Sequence, residues 1–140
     1  MNIAHTPRTA AAWKTVEQWI DCVGREDTDS LLPLFCEHDN AFWGTFANKI
    51  RKTREELRTY YHEFLDCESI RCQITDCTAR EMTTEIVSFT GIYVFHIIKK
   101  KGDPEVETVA RFTFTIRHDN LINRWMFVEH HSSLMPVNGY

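Results

Sequence analysis

The chain has 140 residues, of which 43% are hydrophobic and 12% are aromatic. A chain of this length forms one domain that buries about 70% of the surface exposed by its unfolded state. Sixteen basic and 20 acidic side chains give a formal net charge of −4, so the protein has no general attraction to nucleic acid or to anionic lipid. The sequence therefore predicts a single globular domain over residues 1–140 that binds neither.

The five cysteines are an odd set without a Cys-x-x-Cys pair. On a strand, Cys67 and Cys77 face away from Cys72, so these thiols do not converge on a metal and are typical of small apolar residues in a reducing compartment. The first residues lack the apolar core of a signal peptide, and no run approaches the ~18 apolar residues of a membrane span. We therefore predict a cytoplasmic protein that makes no contact with a membrane.

The first helix is predicted to begin after Thr9, a favourable N-cap, and to end near Gly24. Apolar residues recur within it at spacings of three and four, which is the pattern of an amphipathic helix. Trp13 and Trp19 follow the same spacing. We therefore expect core packing for both rings rather than an aromatic ligand box.

A short second helix is predicted over residues 30–36, capped by Thr28 or Asp29, with Pro33 in its first turn. His38 and Asp39 follow in a polar turn. A zinc site needs three or four convergent ligands, and nothing at ligand spacing accompanies these two, so the sequence predicts no metal site. A first strand then covers residues 41–46.

Thr53 and Glu56 match a capping box, which marks the start of a third helix that runs to about Asp66. Its apolar positions include Tyr60 and Tyr61. Either hydroxyl can reach into a cavity, although filling the core explains both rings more simply. Tyr60 is a candidate ligand-binding residue.

The second half of the chain changes from helical to alternating periodicity. Long strands are predicted over residues 68–81, where a bulge interrupts the alternation, and over residues 84–99. Gly91 in the middle of the latter permits a sharp bend or a close approach. A hairpin loop with solvated lysines follows at residues 99–104.

The last hairpin, residues 109–136, is predicted to turn at residues 118–120. Alternation places Arg111 on one face, and Phe112, Phe114 and Ile116 on the other. On the second strand the same alternation places five residues in one row: Trp125, Phe127, Glu129, His131 and Ser133.

That row mixes large apolar groups with a charged pair, which an ordinary core does not tolerate unless the charges are matched. Arg111 on the neighbouring strand can match Glu129. We therefore interpret Trp125, Phe127, Glu129, His131 and Arg111 as the wall of a partly polar pocket. The alternative is a solvated or purely structural network, since the register is not known from sequence.

The hairpin also carries a resemblance, which rests on Arg111-Phe112-Thr113, Trp125, Val128, His131 and Ser133. It resembles the C-terminal hairpin of the association-domain branch of the nuclear-transport-factor-two-like superfamily. This branch includes the hub domain of calcium/calmodulin-dependent protein kinase II and proteins similar to SnoaL-like cyclases. The element order of most of the chain also matches.

The resemblance implies an α+β fold, a cone-shaped barrel in which three N-terminal helices pack on a strongly bent antiparallel sheet. Helices gathered early and strands gathered late independently favour the α+β class. The ligand site would lie at the open end of the cone. Trp43 and Tyr93 would then join Tyr60, Trp125 and Phe127 as ligand-binding candidates.

Two functions follow as hypotheses. The first is a pocket for a small organic ligand, such as a carboxylate, with or without cofactor-independent isomerase, dehydratase or cyclase chemistry. In that chemistry His131 and Glu129 would transfer protons and Arg111 would stabilise an oxyanion. Whether His130 or His131 enters the pocket depends on the strand register.

The second hypothesis is a non-catalytic association module that resembles the kinase hub. Phe112, Phe114 and Ile116 would then form an apolar outer surface that a second copy covers. A homodimer is expected under both hypotheses.

Overall fold

The computed structural model describes residues 3–140 of the chain. Three α-helices are present: α1 is Pro7–Gly24, α2 is Thr28–Leu31 and α3 is Arg54–Phe64, with a 3-10 turn at Leu32–Leu34 between α2 and α3. The five strands are β1 Ala41–Trp43, β2 Ser69–Glu81, β3 Ile86–Ile98, β4 Val106–Asp119 and β5 Arg124–Leu134. None of the helices in this part of the chain combines the length and apolarity that a bilayer crossing needs.

The strands form one sheet in the order β1-β5-β4-β3-β2. The four long strands are antiparallel to their neighbours, whereas β1 pairs with β5 in parallel. The predicted α+β class and bent sheet are confirmed, but the sheet is mixed rather than wholly antiparallel. A parallel pair needs a long connection, and the chain from β1 to β5 supplies one because it passes through α3 and three strands.

The helix starts follow from capping chemistry. At α3, Thr53 and Glu56 form the predicted capping box. At α1 the predicted N-cap is wrong: Thr6 caps the helix, Pro7 occupies the first turn, and Thr9 is the third helical residue and completes a capping box with Thr6. Since Thr9 accepts a hydrogen bond from the backbone amide of Thr6, it acts from inside the helix.

The hydrophobic core lies between the helices and one face of the sheet. Trp19 is 1% exposed and stacks on Tyr93, with ring centres 6.0 Å apart. Trp13 packs edge-on against Phe89 at 5.0 Å. Both tryptophans of α1 therefore contribute to packing, as their helical spacing predicts.

Strand β3 lies close against the irregularity in β2. The register of β2 shifts at Thr75, which confirms the expected bulge. A Cβ atom at Gly91 would lie 1.9 Å from the carbonyl oxygen of Asp76, so only glycine fits at this point of β3.

The turn of the last hairpin lies further along the chain than predicted. β4 continues to Asp119, and the turn spans residues 120–123. Asn123 adopts a positive φ of 52°, a conformation that asparagine tolerates better than most residues.

Candidate functional site

The two faces of β4 are exchanged relative to the sequence interpretation. Phe112, Phe114 and Ile116 are 2%, 0% and 0% exposed and belong to the core, so their assignment to an outer surface covered by a second copy is wrong. Burying each of these side chains is worth about 1.5–3 kcal/mol. This gain is larger than any advantage of enclosing Arg111 and Glu129, whose charges keep their hydration on the other face.

Arg111, Glu129 and His131 lie on the outer face of the sheet, away from the helices. Arg111 donates from Nη2 to Ser133 Oγ at 3.1 Å, and Glu129 accepts from Thr115 Oγ1 at 3.3 Å. Arg111 and His131 line the same shallow concavity of about 400 Å³, but Glu129 does not line it. The structure therefore brings two of the three predicted catalytic residues together, outside the cone.

A bulge in β5 divides the predicted row of pocket residues. Val128 is an extra residue between the partners of Thr115 and Ile116. Phe127 is consequently buried opposite Ile116, and Trp125 packs against the core. The charged part of the row continues on the outer face, so the five residues do not form one wall.

Inside the cone, β5 contributes the buried polar residues His130 and Ser132, and His130 is the titratable one. Its Nε2 lies 3.1 Å from the hydroxyl of Tyr93, and its Nδ1 has no hydrogen-bond partner among residues 3–140. Burial lowers the pKa of His130 to about 3, and the nearby charge of His131 acts in the same direction. The ring is neutral at physiological pH, and the register that the sequence left open places it, not His131, inside.

Several hydroxyl groups surround His130. The Thr45 and Ser132 hydroxyls are 2.6 Å apart, and Trp19 donates from Nε1 to the Tyr61 hydroxyl at 3.1 Å. Burial raises the pKa of the tyrosine hydroxyls in this region, namely those of Tyr60, Tyr61 and Tyr93. These groups are neutral hydrogen-bonding partners rather than acids.

The space between them is very small. A cavity of about 10 Å³ is enclosed by aromatic side chains and His130, which is room for about one water molecule. Tyr60 and Tyr93, both predicted to bind ligand, form part of its walls. Trp43 lies elsewhere, 37% exposed on the edge strand, with its ring centre 6.4 Å from that of His131.

A larger cavity of about 650 Å³ opens at the mouth of the cone, and we call it the mouth cavity. It lies between α3, the loop after β1 and the β3–β4 hairpin. Its lining includes Phe46, Arg51, Tyr60, Phe64 and Lys99. Tyr60 and Phe64 also line the small inner cavity, so their rings form the wall between the two spaces.

Arg51 is held in place in this cavity by backbone and side-chain contacts. Its backbone exchanges two hydrogen bonds with Phe42, both at 2.9 Å, so its position is tied to β1. Its guanidinium carbon lies 5.2 Å from the centre of the Tyr60 ring, a cation–π distance. Its Nη1 is buried and has no hydrogen-bond partner within the described chain.

Sequence reasoning did not select Arg51 or Lys99. Both belong to short basic stretches, at residues 48–52 and 99–101, that are typical of solvated loops. Only the fold brings these two stretches, about 50 residues apart, to the same cavity. No local sequence pattern predicts that the two stretches line one cavity, since their positions depend on the tertiary fold.

The curled sheet, the helices on its inner face and the mouth cavity define a cone of the nuclear-transport-factor-two-like, or cystatin-like, type. The family model of the calcium/calmodulin-dependent protein kinase II association domain matches residues 8–136. The chain belongs to this family.

Solved structures show the same fold at low sequence identity. A candidate calcium/calmodulin-dependent protein kinase II association domain from Xanthomonas campestris is 24% identical, with a TM-score of 0.81 over 99% of this chain and 97% of that one. A candidate dehydratase of the NTF2-like family from Streptomyces avermitilis is 17% identical, with a TM-score of 0.81 over 93% and 99%. A Catenulispora acidiphila protein in complex with S-DNPA is 12% identical, with a TM-score of 0.74 over 89% and 91%. No curated protein matches the chain significantly.

Proposed function

We propose that this protein binds a small organic anion, with a carboxylate as its charged group, in the mouth cavity. The observation that carries this proposal is Arg51, which lines the mouth cavity and whose Nη1 finds no acceptor within the described chain. An unsatisfied donor on a charged group is costly when it is buried. A carboxylate satisfies a guanidinium with paired, charge-assisted hydrogen bonds.

The rest of the cavity suits the same ligand class. Arg51 and Lys99 are positive and Glu63 is negative, which leaves one net positive charge among its charged lining residues. Phe46 and Phe64 give the cavity an apolar side that can accommodate a hydrocarbon or aromatic body. The volume of about 650 Å³ lies within the ~300–1,000 Å³ that is usual for small-molecule sites.

The test uses benzoate and phenylacetate as probes, with benzamide and phenylacetamide as uncharged analogues of nearly the same shape. We expect the two carboxylates to raise the melting temperature of the protein and the amides to have little effect. Arg51→Met should abolish the response, because methionine keeps part of the stem but removes the guanidinium. Thermal shift followed by calorimetric titration measures both effects.

The matched control is Lys49→Met, which removes an exposed cation that does not line the cavity. It should respond to the carboxylates as the unmodified protein does. Equal stabilisation by amides and carboxylates would contradict the proposal, and so would an undiminished response in Arg51→Met.

Proton transfer by Arg111, Glu129 and His131 without a cofactor stays a prediction. All three side chains lie on the outer face of the sheet, outside both cavities of the cone. A likeness below 25% identity to a candidate dehydratase supports the fold and not a reaction.

A second candidate function is self-association through the outer face of the sheet. The chain belongs to an association-domain family, and its helices all pack on the other face. Val109 lies on the outer face opposite Val94 and is 39% exposed. The residues that would meet a second copy are therefore those that alternate with Phe112 and Phe114, not the phenylalanines themselves.

Light scattering after size exclusion tests this second function with a matched pair of variants. Val109→Glu places a charge on the sheet face, whereas Val137→Glu places one on the C-terminal segment, where Val137 is 97% exposed. We expect a dimer for the unmodified chain and for Val137→Glu, and a monomer for Val109→Glu. A dimer that persists in Val109→Glu would remove this face from the interface.

A further inference from the structure

A second cluster of functional groups lies on the outer face of the sheet, at the hairpin between β3 and β4. His96 stands directly opposite Glu107 in the strand register, and Glu105, just before β4, has a carboxylate oxygen 3.6 Å from Nδ1 of His96. The three side chains bring one imidazole nitrogen and two carboxylate oxygens within 4.8 Å of one another. None of them belongs to the mouth cavity or to the groove that Arg111 lines.

Burial and a contact with Gln73 fix the position of the His96 imidazole. Its side chain is 7% exposed, which is unusual for a histidine on an outer sheet face. Its Nε2 lies 3.3 Å from the side-chain oxygen of Gln73 on β2. Because an amide oxygen only accepts, Nε2 carries the proton in this contact and Nδ1 of the neutral ring keeps its lone pair.

That lone pair points toward negative charge. The Nδ1 atom of His96 lies 3.6 Å from an oxygen of Glu105 and 3.5 Å from one of Glu107, and within residues 3–140 it has no hydrogen-bond partner. These distances exceed the ~2.7–3.2 Å of an N–H···O hydrogen bond. Two carboxylate oxygens and the Nδ1 lone pair, all of them acceptors, thus face one another with no donor among the described residues, which is unfavourable for the protein alone.

The distances fit coordination better than hydrogen bonding. Ligand atoms that lie about 2.1 Å from one tetrahedral ion are about 3.4 Å apart. The two observed separations, 3.5 and 3.6 Å, are close to this value. Glu105 and Glu107 remain 45% and 65% exposed, so both carboxylates can adjust by small rotations.

We propose that His96, Glu105 and Glu107 form a divalent metal site, with Zn²⁺ as the ion that suits it best. One imidazole and two carboxylates are a donor set that Zn²⁺ accepts, whereas Mg²⁺ prefers an all-oxygen octahedron. Three protein ligands leave the fourth position to water. Gln73 would orient the ring from behind, as outer-sphere partners of metal-bound histidines usually do.

One neighbouring charge opposes the ion. Arg71 on β2 stands opposite His96 in the register and shares its sheet face. Its positive charge would weaken binding of a cation through space. Replacing Arg71 with a neutral residue should therefore raise the affinity for the metal ion, so one variant is expected to bind more tightly than the unmodified protein.

The experiment is calorimetric titration of the metal-stripped full chain with ZnCl₂, and separately with MgCl₂. We expect one Zn²⁺ per chain and much weaker Mg²⁺ binding. His96→Gln and Glu107→Gln should each lower the Zn²⁺ affinity by about tenfold or more, Gln73→Leu should lower it by at least several-fold, and Arg71→Gln should raise it. Glu107 is well exposed, so Glu107→Gln keeps the test valid if His96→Gln folds poorly.

The matched control is His38→Gln. His38 also has two acidic neighbours, Glu37 and Asp39, but in the described chain these three do not converge as the His96 group does. Its replacement should leave binding unchanged. Equal losses in His38→Gln and Glu107→Gln, or none in either, would overturn the proposal.

The absorption spectrum of bound Co²⁺ distinguishes binding at this site from adventitious binding by the free thiols. Co²⁺ at His96, Glu105 and Glu107 should give ligand-field bands in the visible spectrum without the intense near-ultraviolet charge-transfer band of a cobalt–thiolate bond. A thiolate band, or cobalt binding that survives in Glu107→Gln, would instead assign the ion to cysteine. If the cluster holds only a proton on Nδ1, neither metal will bind with a one-to-one stoichiometry, and this result would also overturn the proposal.

Discussion

The inner and outer faces of the sheet each hold one buried histidine, and the two rings share one feature. The Nε2 of His130 on the inner face lies 3.1 Å from the Tyr93 hydroxyl, and that of His96 on the outer face lies 3.3 Å from the Gln73 oxygen. In both rings Nδ1 has no hydrogen-bond partner among the described residues. The rings differ in what their Nδ1 atoms face.

His130 is surrounded by aromatic rings. The ring centres of Trp19, Phe42 and Phe114 lie 4.5–5.4 Å from its own, and burial keeps it neutral with a pKa lowered to about 3. His96 faces two carboxylates instead. His130 is therefore part of the aromatic core, whereas the carboxylates beside His96 are the basis of the metal site proposed above.

The largest expected effect tests the assignment of the two faces. Phe114 and Thr113 are adjacent in β4 and point in opposite directions. Phe114→Ala should lower the free energy of unfolding by about 3–5 kcal/mol, because it removes a fully buried ring and leaves a cavity. Urea denaturation measures the change.

Thr113→Ala is the control on the outer face, and it should change stability by no more than about 0.5 kcal/mol. Comparable losses in the two variants would mean that a second copy buries the outer face as thoroughly as the helices bury the inner one. That result would equalise the two faces and favour the association function.

Local signals were readable from the sequence because they depend on a few neighbouring residues. Thr53 and Glu56 specify the start of α3 through their own hydrogen bonds, and the prediction is confirmed. The same holds for the helical spacing of Trp13 and Trp19. The α+β class follows from the order of such elements and is also confirmed.

Which face of the sheet packs against the helices could not be predicted in this way. Alternation correctly separates Arg111 from Phe112, but it does not say which of the two sets meets the helices. The extra residue Val128 then breaks the alternation within β5, and no turn residue or glycine nearby predicts this bulge. Predicting the row through Phe127 and Glu129 failed for this reason.

The candidate sites depend on still longer-range pairing. Arg51 and Lys99 line one cavity because the loop after β1, α3 and the β3–β4 hairpin border it together, and His96 faces Glu107 through the strand register. The sequence predicts no metal site at the cysteines or at His38 and Asp39, and it gives no local sign of the group around His96. The residues that converge in space are about ten positions apart.

The second prediction uses pH to distinguish the two histidines. Unfolded histidine binds a proton near pH 6.5, whereas folded His130 does so only near pH 3. Between these values the unfolded state holds more protons, so stability falls as the pH falls. From pH 7 to pH 5 this linkage should cost about 2 kcal/mol of the free energy of unfolding.

Other groups also titrate in this range, so the measured quantity is the difference from His130→Gln. Glutamine has no proton to gain, and its stability should depend less steeply on pH, whatever its stability at pH 7. Parallel pH profiles for the two proteins would show that His130 takes up its proton as an ordinary histidine does. The contrast between the two rings would then disappear.

The smallest effect compares one hydrogen bond on each face. Tyr93→Phe removes the hydroxyl partner of His130 and leaves Nε2 buried without it, which should cost about 1–2 kcal/mol. Thr115→Val removes the exposed 3.3 Å hydrogen bond to Glu129, and water replaces it, so the cost should stay below about 0.5 kcal/mol. Both substitutions remove a single hydroxyl from a strand, and chemical denaturation of the two variants measures the contrast. If Tyr93→Phe were as mild as Thr115→Val, water would have access to His130, and the interior of the cone would be a hydrated ligand site rather than a closed aromatic core.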